Sequence, residues 1–144
     1  MNELNKKNKE IYSLVIRQLE SFFGIDKDDK DFLIKGVLLA LESCTYCFSK
    51  INSKYYRNKK GGALFNTFHS GQYTIFLYYL SREMYKKSLG SSILLDKIYY
   101  LNRLLNSVDL FYEVDLPEVF YVDHPLGSVI GRAKIGKNFS FQQN

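Results

Sequence analysis

The helical period that organises most of this 144-residue chain stops at Val108, and that break constrains the fold more than any other feature. From there the string SVDLFYEVDLPEVFYVDHPLGSVIGRAKIGKNFSFQQN consists of short apolar pieces separated by Gly, Pro and Asp, the signals of strands and turns. Both prolines, Pro117 and Pro125, and three of the nine glycines, Gly127, Gly131 and Gly136, fall in the last 28 residues. Val129, Ile135 and Phe141 recur every six positions, and Ala133 and Phe139 sit four positions after the first two. A six-residue period marks a hexapeptide parallel β-helix, where each short strand turns one side chain inward and the inward position returns every sixth residue. An ordinary edge hairpin is the alternative that so few repeats leave open.

Upstream of the break the spacing is that of helices. Ile11, Val15, Leu19 and Phe22 form one apolar stripe in residues 5–23, which Gly24 ends. A second helix is expected to begin in the acidic stretch DKDDKD and to run through Phe32, Val37, Leu41, Cys44, Phe48 and Ile51 toward Tyr55. Its acids at the start and bases at the end complement the helix dipole. Lys59-Lys60-Gly61-Gly62 breaks the pattern. Ser70 is then placed to cap a third helix carrying Tyr73, Phe76, Leu77, Leu80 and Met84 on one face. Gly90 and Ser91-Ser92 separate a fourth, running to about Asn106 with Leu94, Ile98, Leu101 and Leu105 inward. The expected class is therefore α+β: an α-helical N-terminal domain over residues 1–107, followed by the start of a hexapeptide-repeat β-helix over 108–144.

Composition agrees with a packed core. Aromatic residues make up 16% of the chain, as 12 Tyr and 11 Phe, and burial of such surface repays ordering entropy at roughly 25 cal/mol per Å². No apolar run approaches the roughly 18 residues of a membrane span, and MNELNKKNKE has no signal-like apolar stretch. A cytoplasmic protein without a membrane partner is expected. The net charge of +5 is uneven, with 17 basic and 10 acidic residues before Asp109 and 3 and 5 from there on. Lys50, Lys54, Arg57, Lys59 and Lys60 form a run without an acid. A nucleic-acid or anion site is one reading of that run, and a solvated helix end is the blander one; with no nucleic-acid module beside it, no nucleic-acid partner is expected. Cys44 and Cys47 form a CxxC with no second ligand pair at metal spacing, so they are expected to pack as small apolar residues, without metal or disulfide.

Chemistry concentrates at Asp123-His124, in VDHPLGSVIG. A neutral imidazole, with an ordinary pKa near ~6.5, suits proton abstraction from a hydroxyl, provided that it is oriented. Asp109 precedes His124 by 15 residues, and in a coil of three hexapeptides such an offset brings residues near one another. It could present a carboxylate to the ring N–H and stabilise the imidazolium. An ordinary Asp-His-Pro turn, with Asp109 capping the fourth helix, is the alternative. His69, the other histidine, reads as a hydrogen-bonded packing residue at a helix start.

The stretch VDLFYEVDLPEVFYVDHPLGSVIG, Val108 to Gly131, resembles the serine O-acetyltransferase family of hexapeptide-repeat acyltransferases. There a β-helix begins with Val-Asp and reaches Asp-His-x-x-Gly-x-Val-x-Gly after the same interval. FNTFHSGQYTIFLYYLSREMY is similar, more loosely, to a helix of that family's N-terminal domain. The resemblance implies a left-handed parallel β-helix and transfer of acetyl from acetyl-CoA, as co-substrate, to the hydroxyl of L-serine in cysteine biosynthesis. It implies His124 as general base, Asp109 as its orienting carboxylate, Asp123 as the group binding the substrate ammonium, and a trimer-based homo-oligomer. No acetyl-CoA-binding residue is assigned.

Three departures accompany the resemblance. The family's later coils, with a second histidine, an arginine and a glycine-rich cofactor loop, have no counterpart before Asn144, so a truncated catalytic domain with little or no transfer is expected of this chain. No Asp or Glu occurs between Glu42 and Glu83, where the family's helical domain supplies an acid, and the string after Gly131 is one residue short. Two alternatives follow: an acetyltransferase for a sugar or another hydroxylated acceptor, and a non-catalytic helical oligomerisation module.

Overall fold

Local capping starts three of the four helices where short polar side chains can take the free backbone N–H groups. The computed structural model describes residues 4–143. Asn5 caps α1 (Lys6–Phe22), Asp26 caps α2 (Lys27–Lys50) in a reciprocal capping box with Asp29, and Ser91 caps α4 (Ser92–Asn106). The cap of α3 (Ser70–Lys86) is His69, one residue before the serine expected there, with Nδ1 accepting from the Gln72 N–H at 3.3 Å. Four short strands follow: β1 (Asp109–Leu110), β2 (Phe120–Val122), β3 (Val129–Ile130) and β4 (Phe139–Phe141). The architecture is mixed α+β.

α2 stops at Lys50, short of the expected Tyr55. The Arg57 Nη2 donates to the Ser49 carbonyl at 2.7 Å, and Ile51 is extended at φ −79° and ψ 123°. The chain then makes a single 3₁₀ turn, Lys54–Tyr56. α2 is long and apolar enough, by length and composition, to cross a membrane, with Lys35 and Glu42 as the charges within its apolar stretch. Here it packs between α1 and α3 through Leu33, Val37, Ala40, Cys44, Cys47 and Phe48. Phe32, expected inward, is half exposed.

α3 is the centre of the molecule. Every residue from Gly71 to Ser81 is buried, so the expectation of one apolar face was too narrow: α2, α4 and β2 each cover a side. Its buried polar residues are largely satisfied. Gln72 donates to the Tyr55 carbonyl and accepts from the Asn66 N–H, and Asn102 of α4 donates to the Thr74 carbonyl. Asn106 in turn donates to Asn102 Oδ1. These two amides are buried, and Leu105, expected inward, is exposed instead.

The strands form two parallel pairs, β1 with β3 and β2 with β4. Asp109 lies opposite Val129 and Phe120 opposite Phe139, offsets of 20 and 19 residues. Leu110, Phe120 and Val122 are buried, and their partners Ile130, Phe139 and Phe141 pack against the same core. Val129, expected inward from the six-residue period, is 73% exposed. Alternation decides this, because Leu110 sits inward and its partner Ile130 shares its face, which turns Asp109 and Val129 the other way.

Phenols and a thiol fasten this C-terminal segment to the helices. Tyr56, Tyr78 and Tyr79 donate to the carbonyls of Val122, Val114 and Glu118 at 3.2, 2.6 and 2.8 Å, and the Cys47 Sγ–H points at the Phe120 carbonyl at 3.4 Å. The chain's tyrosine content thus has a structural use, since an apolar ring enters the core while its hydroxyl satisfies an irregular backbone.

Candidate functional site

His124 sits in the turn that leaves β2. The Asp123 N–H donates to the Phe141 carbonyl at 3.1 Å and the Gly127 N–H to the Ser107 carbonyl at 2.8 Å, which anchors both ends of the turn. Between them His124 adopts φ +45°, in the left-handed region that a non-glycine residue occupies at a cost. Its side chain is 72% exposed, and Nε2 lies 3.6 Å from Asp123 Oδ1. The ring is therefore accessible and has a carboxylate beside it, as acid–base work on a dissolved substrate requires.

Asp109 has other partners. Its Oδ1 accepts from the Tyr99 hydroxyl at 2.6 Å, and its Oδ2 lies 3.9 Å from the Arg103 Nε. Burial, and then the hydrogen bond to Asp109, push the Tyr99 phenol above its ordinary pKa, so the proton stays on the phenol and Asp109 remains the acceptor. Of the three residues singled out in the sequence, Asp123 and His124 are side by side, whereas Asp109 is held against α4. Among the described residues, the carboxylate beside the imidazole is Asp123.

The helical region supplies the wall behind β2. A Cβ placed on Gly71 would come within 2.2 Å of the Val122 carbonyl oxygen, so the start of α3 abuts the strand directly before Asp123. The Tyr56 hydroxyl takes the same carbonyl, and its ring lies 5.6 Å from His69 and 5.5 Å from Tyr121. His69 is thus the hydrogen-bonded packing residue expected and also the cap, a role expected of Ser70. Tyr121 neighbours Ser53 and Asp123; burial first, then the Asp123 charge, raises its pKa. Tyr56, Tyr121 and Ser53 escaped the sequence reading, because isolated tyrosines and a serine in a basic stretch carry no spacing signal.

The remaining candidates lie away from His124 or serve the fold. Cys44 and Cys47 are both buried, and burial pushes both thiols up, which keeps them protonated and unreactive. Among the described residues no group of three or more His, Cys, Asp or Glu is placed to hold a metal ion. In the basic run, Lys50 lies over the Tyr46 ring and Lys54 over the Tyr55 ring at 5.5 and 5.0 Å, while Arg57 is spent on the Ser49 and Gly61 carbonyls. No protein-family model, curated protein or solved structure matches the chain.

Proposed function

We propose that the protein is a solenoid acyltransferase of the serine O-acetyltransferase type, with His124 as general base. One observation carries the reading. Two parallel strand pairs of nearly equal offset, 20 and 19 residues, are what a chain produces when it winds once around and stacks on itself. A left-handed β-helix that begins at Val108 accounts for both pairs and for the position of Asp-His in the turn after β2.

In this reading the His124 imidazole takes the proton of the acceptor hydroxyl as its oxygen attacks the thioester carbonyl of acetyl-CoA. The tetrahedral intermediate collapses, the carbon–sulfur bond breaks, and the imidazolium returns the proton to the leaving thiolate. Asp123 stabilises the imidazolium from 3.6 Å. The resemblance assigns Asp109 to the ring and Asp123 to the substrate; the side-by-side placement of Asp123 and His124 favours the opposite emphasis for the ring.

In the protein expressed from its own gene, His124→Ala is expected to lower acceptor-dependent thiol release from acetyl-CoA by a factor on the order of 100, as for the loss of a positioned base. An unchanged rate would remove His124 from the mechanism. A second reading, an oligomerisation module, draws on Leu104, Leu105, Leu126 and Val129, which are apolar and exposed. Light scattering that shows a stable oligomer, combined with a rate indifferent to His124→Ala, would favour it.

A further inference from the structure

The Asp123 carboxylate beside His124 needs a partner to hold it. Its Oδ1 stands 3.6 Å from the ring Nε2, too far for a hydrogen bond, so the imidazole does not by itself fix the carboxylate. The main chain around it is already held: the Asp123 N–H donates to the Phe141 carbonyl, and the Val122 carbonyl accepts from the Tyr56 hydroxyl. The side chain is partly exposed, and a carboxylate free to turn would meet the ring only part of the time.

Tyr121 is placed to do so. Side chains two positions apart in a strand project to the same side, and the pairing of β2 with β4 continues past Val122 through the Asp123 N–H, so Tyr121 and Asp123 share a face. The Tyr121 ring packs on the buried Tyr56 ring, with centroids 5.5 Å apart, which limits its movement. Burial is the largest cause of the raised Tyr121 pKa and the Asp123 charge the next; hydrogen bonding to Asp123 adds to the rise, and hydrogen bonding from Ser53 opposes it. Those signs give the direction of each contact. An acceptor of the phenol proton favours the neutral phenol, and a donor to the phenol oxygen favours the phenolate. Ser53 therefore donates to Tyr121, and Tyr121 donates to Asp123. The other ionisable groups nearby are Tyr55 and Tyr56 of the 3₁₀ turn and Lys50 at the end of α2.

We propose that Tyr121 is a positioning residue, its hydroxyl steadied by Ser53 and holding the Asp123 carboxylate against the His124 imidazole. This rests on the reading of His124 as general base. A carboxylate held in advance stabilises the imidazolium without reorganising as the proton arrives, so the benefit falls on the chemical step. If Tyr121 instead prepared Asp123 to bind a substrate ammonium, its loss would appear in KM.

Carbon-13 NMR of the full chain labelled at tyrosine Cζ tests the contact without a substrate, the Tyr121 resonance being assigned by its absence from Tyr121→Phe. Asp123→Ala is expected to move that resonance away from the phenolate position, and Ser53→Ala to move it the opposite way. A resonance indifferent to Asp123→Ala overturns the proposal. Turnover is read as L-serine-dependent thiol release from acetyl-CoA by the protein expressed from its own gene. Tyr121→Phe keeps the ring against Tyr56 and removes only the hydroxyl. It should lower kcat about tenfold with KM unchanged, as for the loss of a hydrogen bond to a charged group. The same change should have no further effect in Asp123→Ala, because the carboxylate is its route to the ring. Equal losses with and without the carboxylate, or a rise in KM alone, overturn the positioning role. The two layers separate. A resonance that follows Asp123 beside a rate that ignores His124→Ala keeps the contact and removes the acyltransferase reading; His124-dependent turnover beside an indifferent resonance removes the positioning role alone.

Discussion

The tightest steric constraint beside the candidate site is the missing side chain of Gly71. The Val122 carbonyl fills the space that a Cβ would need, at 2.2 Å, and is already held by the Tyr56 hydroxyl at 3.2 Å. Neither neighbour can give way freely, because one is backbone and the other a buried phenol. Gly71→Ala is expected to cost about 1–3 kcal/mol, the range for overpacking a well-filled interior, read as a lower urea midpoint. Gly131→Ala is the control: nothing lies within 4 Å of its added methyl group, and its midpoint should stay unchanged. HSGQY reads in the sequence as a helix start, and nothing in those five residues signals that a distant carbonyl occupies the glycine's empty side.

Among the elements, the short strands carry the most information per residue. Pairing puts Leu110 and Ile130 on the core face and leaves Asp109 and Val129 outward. Leu110→Ala is therefore expected to cost about 2–5 kcal/mol, as for a buried leucine, while Val129→Ala should stay within about 0.5 kcal/mol. Urea unfolding of both variants checks this, and the reverse order would restore the register inferred from the six-residue period. The helices were legible in outline because caps and apolar spacing act within a few residues, although the cap expected at Ser70 falls to His69. The early end of α2 was not, because it depends on Arg57 returning to the Ser49 carbonyl.

Across the whole molecule, the C-terminal segment is suspended from the helices by buried groups that can donate only while protonated. Burial raises the pKa of Tyr56, Tyr78 and Tyr79 above the ordinary phenol value of 10.0, and that of Cys47 above the ordinary thiol value of 9.0. These groups bind protons more tightly in the folded than in the unfolded chain. Their contribution is complete below the ordinary values and is lost progressively as the pH rises through 9.0 and 10.0 toward the raised folded values. Urea midpoints measured across that range should fall with pH, and Tyr79→Phe should lessen the slope. A flat profile would show that the phenols ionise without loosening the fold.

The sequence by itself determined where helices begin, where the helical period ends and that Asp123 and His124 fall in a turn, because each of these depends on neighbours a few positions away. Tertiary structure decided the rest. Which strand face is inward depends on partners 19 or 20 positions away, the burial of α3 on every side depends on α2, α4 and β2 packing around it, and the groups that hold Asp109 depend on how α4 meets β1. A repeat of six positions does not specify alternation between partners so far apart, and Asp109 illustrates the limit: its spacing pointed to the imidazole, and packing gave it to Tyr99 and Arg103.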